Sequence, residues 1–342
     1  MDPLTHGLTG AVAARFAADE PERKKAMGVG FFAALLADLD IFIQMPGNPL
    51  FAIEVHRQFT HSLMFIPIGA LIAAGVVMLL FKRHFVFRQV YLYSLAGYAT
   101  SGLMDALTSY GTVLFWPFSD TRIAWNLISV VDPLLTAGLL VAVIVSFYRT
   151  ELRWALFGAG WILLFMLTGS IQQHRATQAA LQIAEQRGHV VQSIVVKPTI
   201  GNQLLWRSTY IHGTTVQTDG IRAGLGGIRM YEGESAPLVV PEHDLNHLQG
   251  TTLYHDVQRM HALSDGFLVR HRTEPEVIGD ARYSMLPTSM IPLWGVRLDT
   301  ARPGQHLDFE YFRDAGPEIR TQFTDMLLGR ETDPTADPQT EP

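Results

Sequence analysis

Apolar runs dominate the chain from Met27 to Ile171, and from Gln172 onward charged and polar residues return at the density of an ordinary soluble protein. A helix that crosses the hydrocarbon of a bilayer needs about 20 mostly apolar residues. Ser62–Phe81 meets that requirement. Val90–Leu107, Pro133–Tyr148 and Trp154–Ile171 approach it with their flanks, and Ala26–Ile43 stays apolar until it reaches Asp38 and Asp40. Ahead of them, Leu4–Ala18 reads as a short helix whose Gly7, Gly10 and Ala14 open one face to close approach by another helix. At about 20 Å it is too short to span alone. The pattern predicts a multi-helix transmembrane α-bundle over residues 1–171.

Behind it the period changes. Val190–Val196, Gln203–His212, Gly266–Arg272, Val277–Met285, Leu293–Leu298 and His306–Phe312 read as strands. Tyr254–Leu263 and Pro317–Leu328 read as helices, the second with proline at its first position. Residues 172–330 are thus predicted to form a soluble α+β domain with a mainly antiparallel sheet. The tail, residues 331–342, is rich in Pro, Thr, Asp and Glu and is expected to be disordered.

Basic residues orient the helices. Arg23, Lys24 and Lys25, then Lys82, Arg83 and Arg88, then Arg149 and Arg153 mark three alternating turns, which the positive-inside rule assigns to the cytoplasm. The remaining loops and the soluble domain then face outward, on the periplasmic side of a bacterial-type inner membrane. Arg57 and Arg122 run against that assignment. Met1-Asp2-Pro3-Leu4-Thr5-His6 lacks the basic start of a signal peptide, so insertion is expected to rest on the internal helices. The net charge of −6 and the lack of a long basic cluster argue against nucleic acid as a partner. The chain has no cysteine, which excludes disulfides and thiolate catalysis.

Ionisable groups in or beside membrane helices need a partner or a task. His6, Asp38, Asp40, His56, His61, Asp105 and Asp132 all fall at the outer ends of the predicted helices, and imidazole with carboxylate suits zinc, manganese or iron. Asp38 and Asp40 are two apart and diverge on a regular helix, so either the helix ends there or one of them alone is a ligand. His56 is placed in the loop and His61 in a first helical turn, with Thr60 as a capping residue. Ser101 and Asp105 share a helix face, and Thr108, Ser109 and Tyr110 are positioned to support them. Taken singly, each residue is better explained as a helix cap or as a partner of Arg57 or Arg122. Gathered on one membrane face, they favour a site. His243, His247, His255 and His261 read as surface or packing residues.

The blocks Asp2-Pro3-Leu4-Thr5-His6, Asp38-Leu39-Asp40, His56-Arg57-Gln58-Phe59-Thr60-His61-Ser62 and Asp105-Ala106-Leu107-Thr108-Ser109-Tyr110-Gly111-Thr112, with Pro117-Phe118-Ser119 and Asp132-Pro133, resemble the signature of the LexA-binding, inner-membrane-associated hydrolase family, also called membrane-bound metal-dependent hydrolases. The resemblance covers residues 1–171. It implies a divalent metal, zinc first, held by His6, Asp38, Asp40, His56, His61 and Asp105. It also implies hydrolysis of a phosphoester, by likeness to zinc-dependent phospholipases C. Asp38, Asp105 and Arg57 become the expected catalytic residues, with Arg57 clamping phosphate oxygens. A site at headgroup depth points to a lipid or lipid-linked substrate. Ser101 departs from the family pattern, which has histidine there. That departure sustains a second reading, a non-catalytic membrane scaffold with a structural or vestigial metal and an unidentified protein partner.

Overall fold

The computed structural model of the chain describes residues 1–81, 85–224 and 226–331. Lys82, Arg83 and the tail beyond residue 331 lie outside the described residues. The chain divides into two units. The first comprises Met1–Ile43, Glu54–Ile171 and Ile200–Gln203; the second comprises Gln44–Ile53, Gln172–Thr199 and the chain from Leu204 onward.

The first unit is helical. Helix α1 (Pro3–Phe16) starts at Asp2, whose carboxylate accepts the Thr5 amide at 3.0 Å, and has proline in its first turn. Helix α2 (Arg23–Leu36) passes into a tighter 3-10 turn, Ala37–Phe42. After α3 (Pro49–Val55), most of which belongs to the second unit, and a second 3-10 turn, Phe59–His61, come α4 (Ile66–Phe81), α5 (Phe87–Ala106), α6 (Pro133–Tyr148) and the 34-residue α7 (Arg153–Gln186), which belongs to the second unit from Gln172 on. Glycine sets the closest crossings. A Cβ on Gly10 would lie 2.4 Å from Gly30 O, and one on Gly97 also 2.4 Å from Gly30 O. Helices α1, α2 and α5 therefore meet backbone to backbone, a contact any side chain would forbid. Gly7 and Ala14 flank this contact on α1, against Phe31 and Gly30.

Among the described residues, α7 is the one helix long and apolar enough to cross a membrane. The segment Pro49–His61 joined to α4 passes the same test as a pair bent by 89°, and α6 is apolar but shorter. Helix α4 therefore begins four residues later than the apolar run suggests. Thr60 is not its cap, because its hydroxyl donates to Asp40 instead.

The second unit contains two antiparallel meanders. β1 (Ser193–Pro198), β2 (Leu205–His212), β3 (Thr215–Gly224) and β4 (Gly227–Pro237) pair in sequence order. β5 (Leu268–Arg270), β6 (Val277–Asp280), β7 (Trp294–Arg297) and β8 (Asp308–Tyr311) do the same. The later part of α7 lays Ala176, Ala179 and Ala180 against Val196, Trp206 and Ile221 of the first sheet. Short α8 (Pro241–Asp244) precedes α9 (Thr252–Leu263), whose Leu253, Val257 and Met260 pack on Leu268, Ile278 and Val296 of the second. Helix α10 (Pro317–Leu328) brings Met326 to Leu205 and Tyr231. The fold is thus a helical N-terminal region followed by an antiparallel-sheet region, with two sheets where one was expected. β3 and β4 were not foreseen.

Candidate metal centre

Four segments far apart in sequence bring four side chains to one point. His6 comes from the first turns of α1, Asp38 and His61 from the two 3-10 turns, and Asp105 from the last turn of α5. His6 Nε2 lies 3.0 Å from Asp105 Oδ1 and 3.8 Å from Asp38 Oδ2. His61 Nε2 lies 3.3 Å from Asp38 Oδ1 and 3.2 Å from Asp105 Oδ2. Donor atoms of His6, Asp38 and Asp105 all fall within 4.8 Å of one another. His6, His61 and Asp105 are sealed from solvent, whereas the Asp38 side chain is 18% exposed and forms the open side of the group.

Hydrogen bonding leaves this group incomplete. Both Asp38 oxygens, Asp105 Oδ2, His61 Nε2 and Arg57 Nε are buried and meet one another or His6 at ion-pair distance without hydrogen-bond geometry, and Arg57 Nη1 has no hydrogen-bond partner. Buried carboxylates and imidazoles that meet without aligned hydrogen bonds form a cradle that a cation would relieve. Two imidazoles and two carboxylates are a donor set suited to zinc, with manganese or iron as alternatives. The residues therefore fit the metal that the signature blocks imply.

Local structure explains why one aspartate of the pair faces this point and the other does not. In a 3-10 turn successive residues are about 120° apart, so residues two apart diverge widely. Asp38 turns inward. Asp40 turns to the far side of His61, where it accepts Thr60 Oγ1 at 2.5 Å, the Arg57 amide at 2.9 Å and His56 Nδ1 at 2.7 Å. His61 Nδ1 lies 3.4 Å from Asp40 Oδ2 and 3.0 Å from Thr60 Oγ1. A carboxylate behind an imidazole favours the tautomer whose other nitrogen carries the lone pair. His6 has no such support, since its Nδ1 is buried and unpartnered. The structure thus brings together His6, Asp38, His61 and Asp105, and sets Asp40 and His56 one residue further out. Asp132 stands apart as the cap of α6, accepting the Leu134 and Leu135 amides at 3.1 Å.

Arg57 occupies a strained position with φ of 59°, a conformation that costs a non-glycine residue about 1–2 kcal/mol. Its backbone is pinned on both sides. The amide donates to Asp40, and the carbonyl accepts Thr112 Oγ1 at 2.9 Å and the Val113 amide at 3.0 Å. The guanidinium then lies beside the cluster, with Nε 3.0 Å from Asp105 Oδ2. Gly102 completes the scaffold, because a Cβ there would sit 2.1 Å from His61 O. Ser101, one turn before Asp105, donates to Ala34 O at 2.9 Å and so serves the α2–α5 contact.

Met1 was not anticipated as a contributor, whereas Arg122 was named as a candidate partner. The Met1 amino group pairs with Asp105, and Met1 O accepts Arg57 Nη2 at 3.4 Å. Arg122 donates to His56 O at 3.0 Å and lies 4.9 Å from the centre of the Tyr110 ring, which Arg57 approaches at 5.2 Å. Burial raises the Tyr110 hydroxyl above its usual pKa, against the opposing pull of both guanidiniums. Nothing local in the sequence marks Met1. Arg122, a lone cation in a loop expected to face outward, was the visible signal.

Comparison with known proteins places this helical half in context. The profile of the YdjM inner membrane protein family matches residues 1–176, over half of the chain. An uncharacterized protein, YfhP, from Bacillus subtilis (strain 168) is 25% identical over 256 residues, which cover 72% of this chain and 75% of that relative. No solved structure matches the chain. The site-bearing helices lie within the matched span, and the chain belongs to the YdjM inner membrane protein family.

Proposed function

We propose that this chain is a multi-pass, metal-dependent hydrolase of the inner membrane. Its site opens on the outer face, and it acts on a phosphoester of a lipid or lipid-linked molecule. The observation that carries this reading is the convergence of buried donor atoms of His6, Asp38, His61 and Asp105 on one point. His6, Asp38, His61 and Asp105 would hold the ion. A divalent metal there supplies Lewis-acid polarisation of a phosphoryl oxygen and brings the pKa of a water towards neutrality.

The chain's own residues divide the remaining work. Asp40 holds His61 in position. Arg57 presents Nη1, which has no hydrogen-bond partner, to a phosphoryl oxygen. Asp38, whose side chain is the least buried of the four, takes the proton from the attacking water on an oxygen that no hydrogen bond engages. Multi-pass insertion is supported by large apolar side chains exposed along α4 (Ile68, Leu71, Leu79), α6 (Leu134, Val141, Ile144) and α7 (Leu156, Leu163, Leu167). Such residues suit contact with lipid.

The test is phosphoesterase assay of the purified full-length protein in liposomes containing phospholipid. Activity should disappear on chelation, return with zinc or manganese, and be absent from Asp38→Asn. Hydrolysis that survives both treatments would contradict the reading. The non-catalytic scaffold is favoured by Ser101, whose hydroxyl is committed to Ala34 where the family pattern has an imidazole. It predicts retained metal with no hydrolysis.

A further inference from the structure

A cleft of about 830 Å³ in the second unit lies between the turn Gln44–Pro49 and the segment Gly304–Phe309. It shares no residue with the candidate metal centre. Its size is within the range of small-molecule sites, which combine apolar walls with a few convergent polar groups.

The built feature of this cleft is a fixed imidazole. Asp256 of α9, fully buried, accepts His306 Nδ1 at 2.7 Å and the Leu307 amide at 3.2 Å. It also accepts Arg259 Nη1 at 2.7 Å, and Arg259 donates in turn to Asn48 Oδ1 at 3.1 Å. The contact with Asp256 fixes the orientation of the His306 ring. The His306 side chain is 37% exposed and lines the cleft. Asp308, Asn48 and Gln305 line it too.

The charge of Asp256 is matched by Arg259, so Asp308 leaves the rim acidic and rich in acceptors. That composition disfavours phosphate and other anions. Phe309 adds one aromatic ring to the lining, held against Trp294 at 5.3 Å with an interplanar angle of 17°. Carboxylate, amide and imidazole groups beside an aromatic ring complement a molecule with hydroxyl edges and C–H faces. We propose that this cleft is a saccharide-binding site, sized for one or two sugar rings.

The experiment uses the full chain in lipid nanodiscs free of sugar-based detergent. Isothermal titration with cellobiose and with N,N′-diacetylchitobiose is read beside tryptophan fluorescence. At least one disaccharide should bind saturably, with Kd of about 1 mM or tighter. Asp308→Asn and Gln305→Ala alter exposed side chains that line the cleft and should weaken binding by about tenfold, close to 1.4 kcal/mol, with unchanged melting curves. Failure of both disaccharides to bind would overturn the proposal. So would equal binding by both variants, or a response to manganese or to tetralysine alone.

Discussion

Asp40 is the residue whose role the structure specifies most sharply, and Asp40→Asn isolates it. Four donors surround its carboxylate: His56 Nδ1, the Arg57 amide, Thr60 Oγ1 and His61 Nδ1. Asparagine keeps the shape but removes the charge and replaces one acceptor oxygen with a donor. Turning its carbonyl to the side of Arg57, Thr60 and His61 preserves the crowded face and sets the amide against His56. What is lost is the anionic support behind His61. Removing such an outer partner typically lowers metal affinity about 10–100-fold, which is about 1.4–2.8 kcal/mol. Competition between the protein and a chromophoric zinc chelator measures the change. Asp38→Asn, which alters a direct ligand, should cost more than Asp40→Asn. His56→Ala, on the far side of Asp40, should cost less. Equal affinity of Asp40→Asn and the unaltered protein would refute the assignment, as would a loss in His56→Ala matching that in Asp38→Asn.

Gly102→Val should displace the His61 turn from α5 and destabilise the first unit by about 1–3 kcal/mol, read as a lower melting temperature together with weaker zinc binding. Lys197 is buried beneath the Tyr283 ring, and burial pushes its amine well below the usual lysine value. The unfolded chain therefore binds the extra proton between that depressed value and about pH 10.4, so stability rises with pH through this window. Lys197→Met should stabilise the second unit by about 1 kcal/mol or more at pH 7, with the gain shrinking by pH 10 in thermal melts; equal effects at both pH values would contradict this. A phosphatase reporter fused after Gly329 should be active on the outer side of the membrane, and one fused after Phe81 inactive. The reverse pattern would move the site to the cytoplasm.

Much of the helical half was legible because its signals are local. Proline and a capping aspartate opened α1 and α6 where the apolar runs begin, and Gly7, Gly10 and Ala14 marked the face on which α2 lies. Helix ends near the site were harder to read. Hydropathy extends α4 back to Ser62, but the chain spends Ser62 to Phe65 turning by 89°, an event decided by tertiary contacts. Strands β3 and β4 were not legible because they carry Gly220, Gly224, Gly227 and Gly233, a residue type depleted in strands. Gly233 is in fact a close approach, since a Cβ there would lie 2.4 Å from Thr218 O. The residue types of the candidate site were visible as His and Asp on one membrane face. Their division into an inner group and a supporting pair was not, because it depends on the 3-10 geometry at Asp38 and Asp40.

The central claim is that His6, Asp38, His61 and Asp105 hold a divalent metal. Elemental analysis of full-length protein, purified without chelators, tests it most directly when run beside a His6→Ala, His61→Ala variant of matched folding. The account predicts near-stoichiometric zinc, or manganese in its place, in the natural protein, and its loss from the variant. Metal-free natural protein, or equal metal in both, would contradict it.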